Sequence, residues 1–353
     1  MLQIFKHFGR KYSYVRKVKV KVKRMASVMA RLMVLMVALT ISSCAPRYQT
    51  IEGTALGTLY RITASGRITP TLQADLTKLF EEANKEMSVF DKNSLLSRIN
   101  RGETDSLSAN IIYCIEMAHR VSELSGGAYD ITIQPLVDAY GFAGDDPDFT
   151  PNLDSLLPLV DYRNISIENG LLVRPKGVQI GLNSIAKGAV VDMAAALLEE
   201  AGFESYMVDI GGEIFCRGEN PSGRDWRIGV ETPFEGNFSM TGEYIEAVLS
   251  LSGAGMATSG NYRNFHVNAE GQKLTHIIDP HTGLNTESNL LSATVIAENC
   301  ALADAYGTML MALGYESALA LVERENIAAL LIWADEEGQM QITVTDEMRP
   351  HLE

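Results

Sequence analysis

Short apolar runs follow one another between residues 178 and 251 with little helix between them, and this pattern limits the fold more than any other feature. Runs at 178–182, 206–210, 213–217, 226–231 and 244–251 suit strands, and only residues 185–201 among them read as a helix, ended by Gly202. A doubly wound sheet or an α/β barrel needs a helix after nearly every strand, so an α+β fold is predicted. Residues 71–87 place Leu72, Leu76, Leu79, Ala83 and Met87 on one helical stripe. Ser108 caps a second helix with Ile111, Ile115, Ala118, Val121 and Leu124 inward, stopped by Ser125-Gly126-Gly127. Further helices are expected over 299–313 and 316–325. Residues 47–63 read as one strand around Gly57, 165–173 as a hairpin about Asn169-Gly170, and 328–345 as a closing hairpin.

The N-terminus is an address rather than part of that fold. Residues 1–43 hold ten Lys or Arg and no acid, and Leu32 to Ile41 form an apolar run of signal-peptide length. Ile41-Ser42-Ser43-Cys44 resembles a bacterial lipobox, with cleavage before Cys44 and a diacylglyceryl group on its thiol; a plain secretory signal with an incidental cysteine is the other reading. Met25 would give a more compact signal if it is the true start. The body beyond residue 43 carries 20 basic against 44 acidic residues, a charge of −24 that repels phosphate backbones and argues against nucleic-acid binding. Cys114, Cys216 and Cys300 are far apart and flanked by apolar residues, so they are expected as buried small hydrophobes, not a disulfide framework or metal site.

Five segments carry possible chemistry. Asp304 and Thr308 are i and i+4 on the 299–313 helix, a pair of hard oxygens suited to Mg²⁺, although such pairs also arise without a metal. At Asn183-Ser184-Ile185-Ala186-Lys187-Gly188 a strand gives way to a helix N-terminus, which favours anions, and Lys187 is either an anion ligand or a snorkelling surface lysine. His276 and Asp279 lie in a segment made turn-like by Pro280 and Gly283, as a general base with its orienting partner or as a capped turn with a solvated histidine. Ser259 is a weak nucleophile candidate without a GxSxG elbow. Gly211-Gly212 before Glu213 would let backbone approach a ligand or simply form a tight hairpin.

Taken in order, eight motifs resemble the ApbE family, the FAD:protein FMN transferases. They are Ala55-Leu56-Gly57-Thr58; Met87-Ser88-Val89-Phe90-Asp91 with Ser94, Arg98 and Asn100; Ser125-Gly126-Gly127-Ala128-Tyr129-Asp130; Ile185-Ala186-Lys187-Gly188; Asp209-Ile210-Gly211-Gly212-Glu213; Thr258-Ser259-Gly260; His276-Ile277-Ile278-Asp279-Pro280; and Ala303-Asp304-Ala305 to Thr308. The resemblance implies a single large domain of mixed or antiparallel sheets flanked by helices, with two sub-lobes, over residues 51–350. Residues 1–43 would be the signal and 44–50 a lipidated tether, giving an exported, lipid-anchored protein facing the periplasm.

The implied activity is transfer of the FMN half of FAD to a Thr or Ser hydroxyl of an acceptor flavoprotein through a phosphoester, with Mg²⁺, releasing AMP. The implied acceptor is a subunit of an electron-transfer or ion-pumping complex. Leu56, Phe90, Ala128, Tyr129, Asp130, Gly181, Lys187, Ser259, Gly260 and Ile278 would line the FAD site. Ser184, Asp304 and Thr308 would hold the metal. His276 would accept the proton of the acceptor hydroxyl, supported by Asp279. Leu56 replaces a common Met, Tyr129 a common Phe, and Gly181 an Asp that contacts FAD in many members. Two other readings are an Mg²⁺-dependent FAD pyrophosphatase, which uses the same residues, and a non-catalytic flavin-binding lipoprotein, against which the presence of both His276 and the Asp304/Thr308 pair argues by resemblance.

Overall fold

Leu56 and Gly57 both adopt positive φ, 51° and 76°, and Ala55 pairs with Thr58 across them. That is a two-residue turn of the type that matches strand twist, so the segment predicted as one strand is a tight hairpin. A computed structural model describes residues 48–143, 147–233, 245–261, 265–267, 271, 273–286 and 288–353. The predicted signal, Cys44 and most of the predicted tether lie outside the described residues.

The chain runs β1 (Tyr48–Ala55), β2 (Thr58–Ser65), α1 (Pro70–Met87), α2 (Leu95–Asn100), α3 (Ala109–Leu124), α4 (Gln134–Ala139) and α5 (Leu153–Leu156). A small hairpin, β3 (Ser166–Glu168) and β4 (Leu171–Val173), precedes α6 (Ala186–Glu200), β5 (Tyr206–Ile210), β6 (Glu213–Arg217), β7 (Trp226–Glu231) and β8 (Ile245–Leu251). The remainder is β9 (Ala254–Gly260), β10 (Phe265–Val267), β11 (Lys273–Thr275), β12 (Leu290–Ala297), α7 (Cys300–Leu313), α8 (Tyr315–Glu325), β13 (Ala328–Ala334) and β14 (Met340–Val344). Eight strands form one sheet in the order β1-β2-β5-β6-β9-β12-β13-β14. Each neighbouring pair is antiparallel, so the α+β expectation holds.

Alternate residues of the central strands feed different interiors, as the period of two requires. Ala293, Val295, Ala329 and Leu331 join the main core with the helices. Ile214, Met256, Ile296, Leu330 and Ile332 point the other way and pack with Trp226, Ile228 and Leu249 of the β7–β8 hairpin. A third cluster joins Leu136, Tyr140, Phe142 and Ile278. Cys114, Cys216 and Cys300 are unpaired and buried, as expected.

Helix starts follow their caps. The Thr69 hydroxyl accepts from the Leu72 N–H with Pro70 in the first turn, and Ser108 does the same for Ile111. On α1 the stripe buries Phe80, with the predicted Leu79 only half-buried beside it. Residues 178–182 are apolar enough to read as a strand but form none. The Ile180 N–H and C=O are taken by the Asn100 carboxamide at 3.0 and 2.9 Å, and the Gly181 N–H donates to the Ile131 carbonyl at 2.7 Å. A side chain thus supplies the pairing a neighbouring strand would have made. β9 and β12 were not expected from the sequence.

Candidate functional site

The first turn of α6 is the hub. Lys187 forms an ion pair with Glu213 at the start of β6, and the Gly188 N–H donates to Asp304 Oδ2 on α7 at 3.1 Å. Both carboxylates are interior, Glu213 5% and Asp304 3% exposed. Burial pushes the Asp304 carboxyl upward against the pull of Lys187 and the Gly188 N–H. Glu213 is raised for the same reason, opposed by Lys187 and reinforced by Asp304. Burial works against the Lys187 charge, but Asp304 and Glu213 outweigh it and lift its pKa. Two buried carboxylates therefore face one ammonium, and among the described residues Glu213 Oε2 has no hydrogen-bond partner.

Close backbone approach fixes α7 in this place. A Cβ on Gly188 would lie 2.3 Å from the Cys300 carbonyl oxygen, and one on Gly255 of β9 would lie 2.4 Å from the Cys300 nitrogen. Asp192 of α6 then caps α7 from outside, Oδ1 accepting from the Cys300 N–H at 2.8 Å and Oδ2 from the Ala301 N–H at 2.9 Å. Burial pushes the Asp192 carboxyl up to about 6 despite these two bonds. One turn on, Thr308 brings its hydroxyl to 3.5 Å from Ser259 Oγ of β9. Asp304 and Thr308 thus share one face, as their spacing predicts. Gly188→Ala forces a methyl against backbone that cannot move without α7, and should cost about 1–3 kcal/mol; a denaturant titration showing an unchanged midpoint would contradict this account of the α6–α7 contact.

Two other segments border the hub. Just ahead of α6, the Ser184 hydroxyl lies 2.9 Å from the Tyr129 hydroxyl. Asp130 turns inward: Oδ1 accepts from the Thr132 N–H and hydroxyl at 2.7 and 2.6 Å, and Oδ2 from the Tyr162 N–H at 2.7 Å. Its side chain therefore shapes the Ala128–Asp130 turn. On the other side, the Gly211 N–H donates to the Leu59 carbonyl at 2.9 Å. A Cβ on Gly211 would meet Thr58 at 2.7 Å, so the Leu56-Gly57 turn abuts the turn that delivers Glu213. Phe90 lies between α1 and α2 with 62% of its surface exposed. Ser88 Oγ accepts from the Phe90 and Asp91 N–H groups at 3.2 and 3.1 Å, so the loop that carries this ring is itself capped.

His276 follows β11 and packs edge-on against Phe142, ring centroids 6.3 Å apart. Asp279, predicted to support it, gives its carboxylate to the next histidine. Oδ1 accepts from the His281 N–H at 2.9 Å and lies 3.2 Å from His281 Nδ1, and Oδ2 accepts from the Thr282 hydroxyl at 2.9 Å. His281 Nε2 in turn meets the Gly126 carbonyl at 3.2 Å, tying this segment to the Gly126–Asp130 turn. The Ile278 side chain is buried in the third cluster, and Gly260 pairs with Ser292 at the end of β9. At Gly181 a Cβ would fall 2.1 Å from Gln134 Oε1. The Gln134 carboxamide, held to Asp138 Oδ1 at 2.5 Å, fills that space, so an aspartate at 181 and Gln134 in this position exclude each other. Sequence reasoning missed Glu213, Gln134 and His281; the Gly-Gly before Glu213 was the one available signal.

The model of the ApbE family matches residues 56–331. The chain belongs to the ApbE family. It is 34% identical over 300 residues to the FAD:protein FMN transferase of Vibrio cholerae, covering 82% of this chain and 88% of that one. The corresponding protein of Haemophilus influenzae is 33% identical over 322 residues, covering 85% and 91%. Among solved structures, the flavin transferase ApbE of Vibrio cholerae superposes with a TM-score of 0.76 at 32% identity, covering 87% of this chain and all (100%) of that one. The apo flavinyl transferase ApbE of Pseudomonas stutzeri gives 0.78 at 27% identity, covering 88% and 98%.

The ApbE site of this chain suits a hard divalent cation by its donor chemistry. Among the described residues no three His, Cys, Asp or Glu side chains gather into a cage. What is present is one buried carboxylate, Asp304, with the Thr308 hydroxyl one turn on and the Ser184 hydroxyl just ahead of α6. Mg²⁺ takes such sets, completing its octahedron with water and substrate phosphate oxygens.

Proposed function

We propose that this ApbE-family flavin transferase uses Mg²⁺ to move the FMN half of FAD onto a Thr or Ser hydroxyl of an acceptor flavoprotein, releasing AMP. The observation that carries the metal-assisted reading is the pair of buried carboxylates facing one lysine at the N-terminus of α6. Asp304, Thr308 and Ser184 would hold the cation. When bound, Mg²⁺ supplies neutralisation of the pyrophosphate oxygens, whose charge otherwise repels a nucleophile.

The chain's own residues do the rest. Lys187, with the positive end of the α6 dipole behind it, holds the diphosphate and steadies the leaving AMP. Phe90 offers a flat face for a ring to stack on, with Leu56 and the Ala128–Asp130 turn as further walls. His276 takes the proton of the acceptor hydroxyl as its oxygen bonds to the FMN phosphorus. The P–O–P bridge breaks, and AMP departs with the bonding pair. Positioning supplies much of the acceleration, as in other phosphoryl transfers.

We further propose the address: residues 1–43 as the export signal, lipid on Cys44, residues 44–50 as tether, and residues 51–350 as the catalytic domain facing the periplasm. The acceptor would be a flavin-bearing subunit of a membrane electron-transfer or ion-pumping complex.

Mass spectrometry of an acceptor domain incubated with the protein, FAD and Mg²⁺ tests the reaction. The expected product is the acceptor plus the mass of FMN less one water, lost when EDTA is present. Free FMN and AMP without an adduct would make the protein a pyrophosphatase. Bound, unaltered FAD with every acceptor tried would make it a flavin carrier.

A further inference from the structure

The Gly211-Gly212 turn delivers Glu213 into the interior beside α6, where no step of the reaction above uses it. Its Oε1 takes the ion pair with Lys187, and its buried Oε2 has no hydrogen-bond partner among the described residues. As a stabilising device this is poor. Desolvation of two charges offsets most of their attraction, and an orphaned carboxylate oxygen adds to the cost. The exposure of the two partners is unequal: 34% of the Lys187 side chain is accessible against 6% for Glu213. The carboxylate lies deeper than the lysine.

Lys187 has a second carboxylate close by. The residue after it donates its N–H to Asp304 Oδ2 at 3.1 Å, and both Asp304 and Glu213 favour the lysine's charge. Yet among the described residues the Lys187 ion pair goes to Glu213 and none goes to Asp304. We propose that Glu213 is a positioning residue that holds the Lys187 ammonium off Asp304, leaving the Asp304 carboxylate open to a divalent cation. Without it, Lys187 turns to the one other buried carboxylate in reach and competes with the metal there. The inference rests on the cation site proposed above.

The test is a double-mutant cycle on the protein without FAD, with Mn²⁺ as the probe and electron paramagnetic resonance as the readout. Glu213→Gln keeps the shape and removes the charge, and Lys187→Met keeps the stem and removes the competitor. Glu213→Gln is expected to weaken Mn²⁺ binding about tenfold in the parent and by less than about twofold in the Lys187→Met background, because the coupling runs through the lysine. Equal losses in both backgrounds would overturn the inference, leaving Glu213 as a through-space charge. No loss in the parent would overturn it as well. A parent protein that binds no Mn²⁺ overturns the cation site itself, which separates the failure of that reading from the failure of this one.

Discussion

Asp304→Asn should reduce flavin transfer by about 10³-fold or more while leaving the protein folded, since Lewis-acid stabilisation of transferring phosphoryl groups is worth several kcal/mol at about 1.4 kcal/mol per tenfold. The amide keeps the shape and can still accept from the Gly188 N–H, which Asp304 Oδ2 does at 3.1 Å. What it loses is the single carboxylate of the proposed Asp304, Thr308 and Ser184 set. The stability side carries the opposite sign. Burial raises the Asp304 pKa above its ordinary value. For an acid shifted upward, the folded state gains stability as pH falls through the raised pKa, and above it the ionised form weighs against folding. The uncharged amide removes that burden. In metal-free buffer at neutral pH the variant should therefore melt no lower than the parent. Transfer within tenfold of the parent would remove Asp304 from the metal site. A sharply lowered melting temperature would assign it a structural role in joining α6 to α7.

His276→Ala should lower the transfer rate by about 10²–10⁴-fold, the range for a positioned general base, and leave the KM for FAD nearly unchanged. The separation is expected because the proposed diphosphate contacts belong to α6, whereas His276 stands after β11 against Phe142. Imidazole added in solution should restore part of the rate, since the position vacated by the ring is bordered by an intact Phe142. An equal fall in FAD affinity would mean that His276 binds flavin rather than moving a proton. A full-size adduct on the acceptor, formed at the parent's rate, would remove the base from the mechanism.

Helices were legible wherever cap and stripe coincided. Thr69 with Pro70, Ser108 and Asn299 each begin a helix whose apolar stripe meets the core. The shared face of Asp304 and Thr308 was legible for the same reason, since the two need only helical periodicity to come together. Strands were less so. The β1–β2 turn places a leucine at positive φ, where the usual Asn-Gly or Asp-Gly signal is missing. β9 is built of Gly, Ala, Thr and Ser around the single Met256, with little alternation, because α7 lies so near that Gly255 and Gly307 leave no room for a Cβ. Residues 178–182 showed the converse: their composition suits a strand, but the Asn100 carboxamide, from 80 residues away, occupies the pairing groups. Pairings between distant residues carry no local mark. Lys187 with Glu213, and Gln134 in the space at Gly181, became visible only through the fold.

The sheet order has a kinetic consequence. β2 finds β5 across the long stretch between Tyr60 and its partner Ile210, and β9 must lie between β6 and β12 before α7 can settle on it. Bringing such remote segments together costs loop entropy before any contact repays it, which makes this a slow topology. Lys187, Glu213, Ser259 and Asp304 sit on four elements joined by those late pairings. A nascent or partly unfolded chain therefore holds only scattered pieces of the centre, and the capacity to engage flavin arrives as a single event when the last long-range register closes.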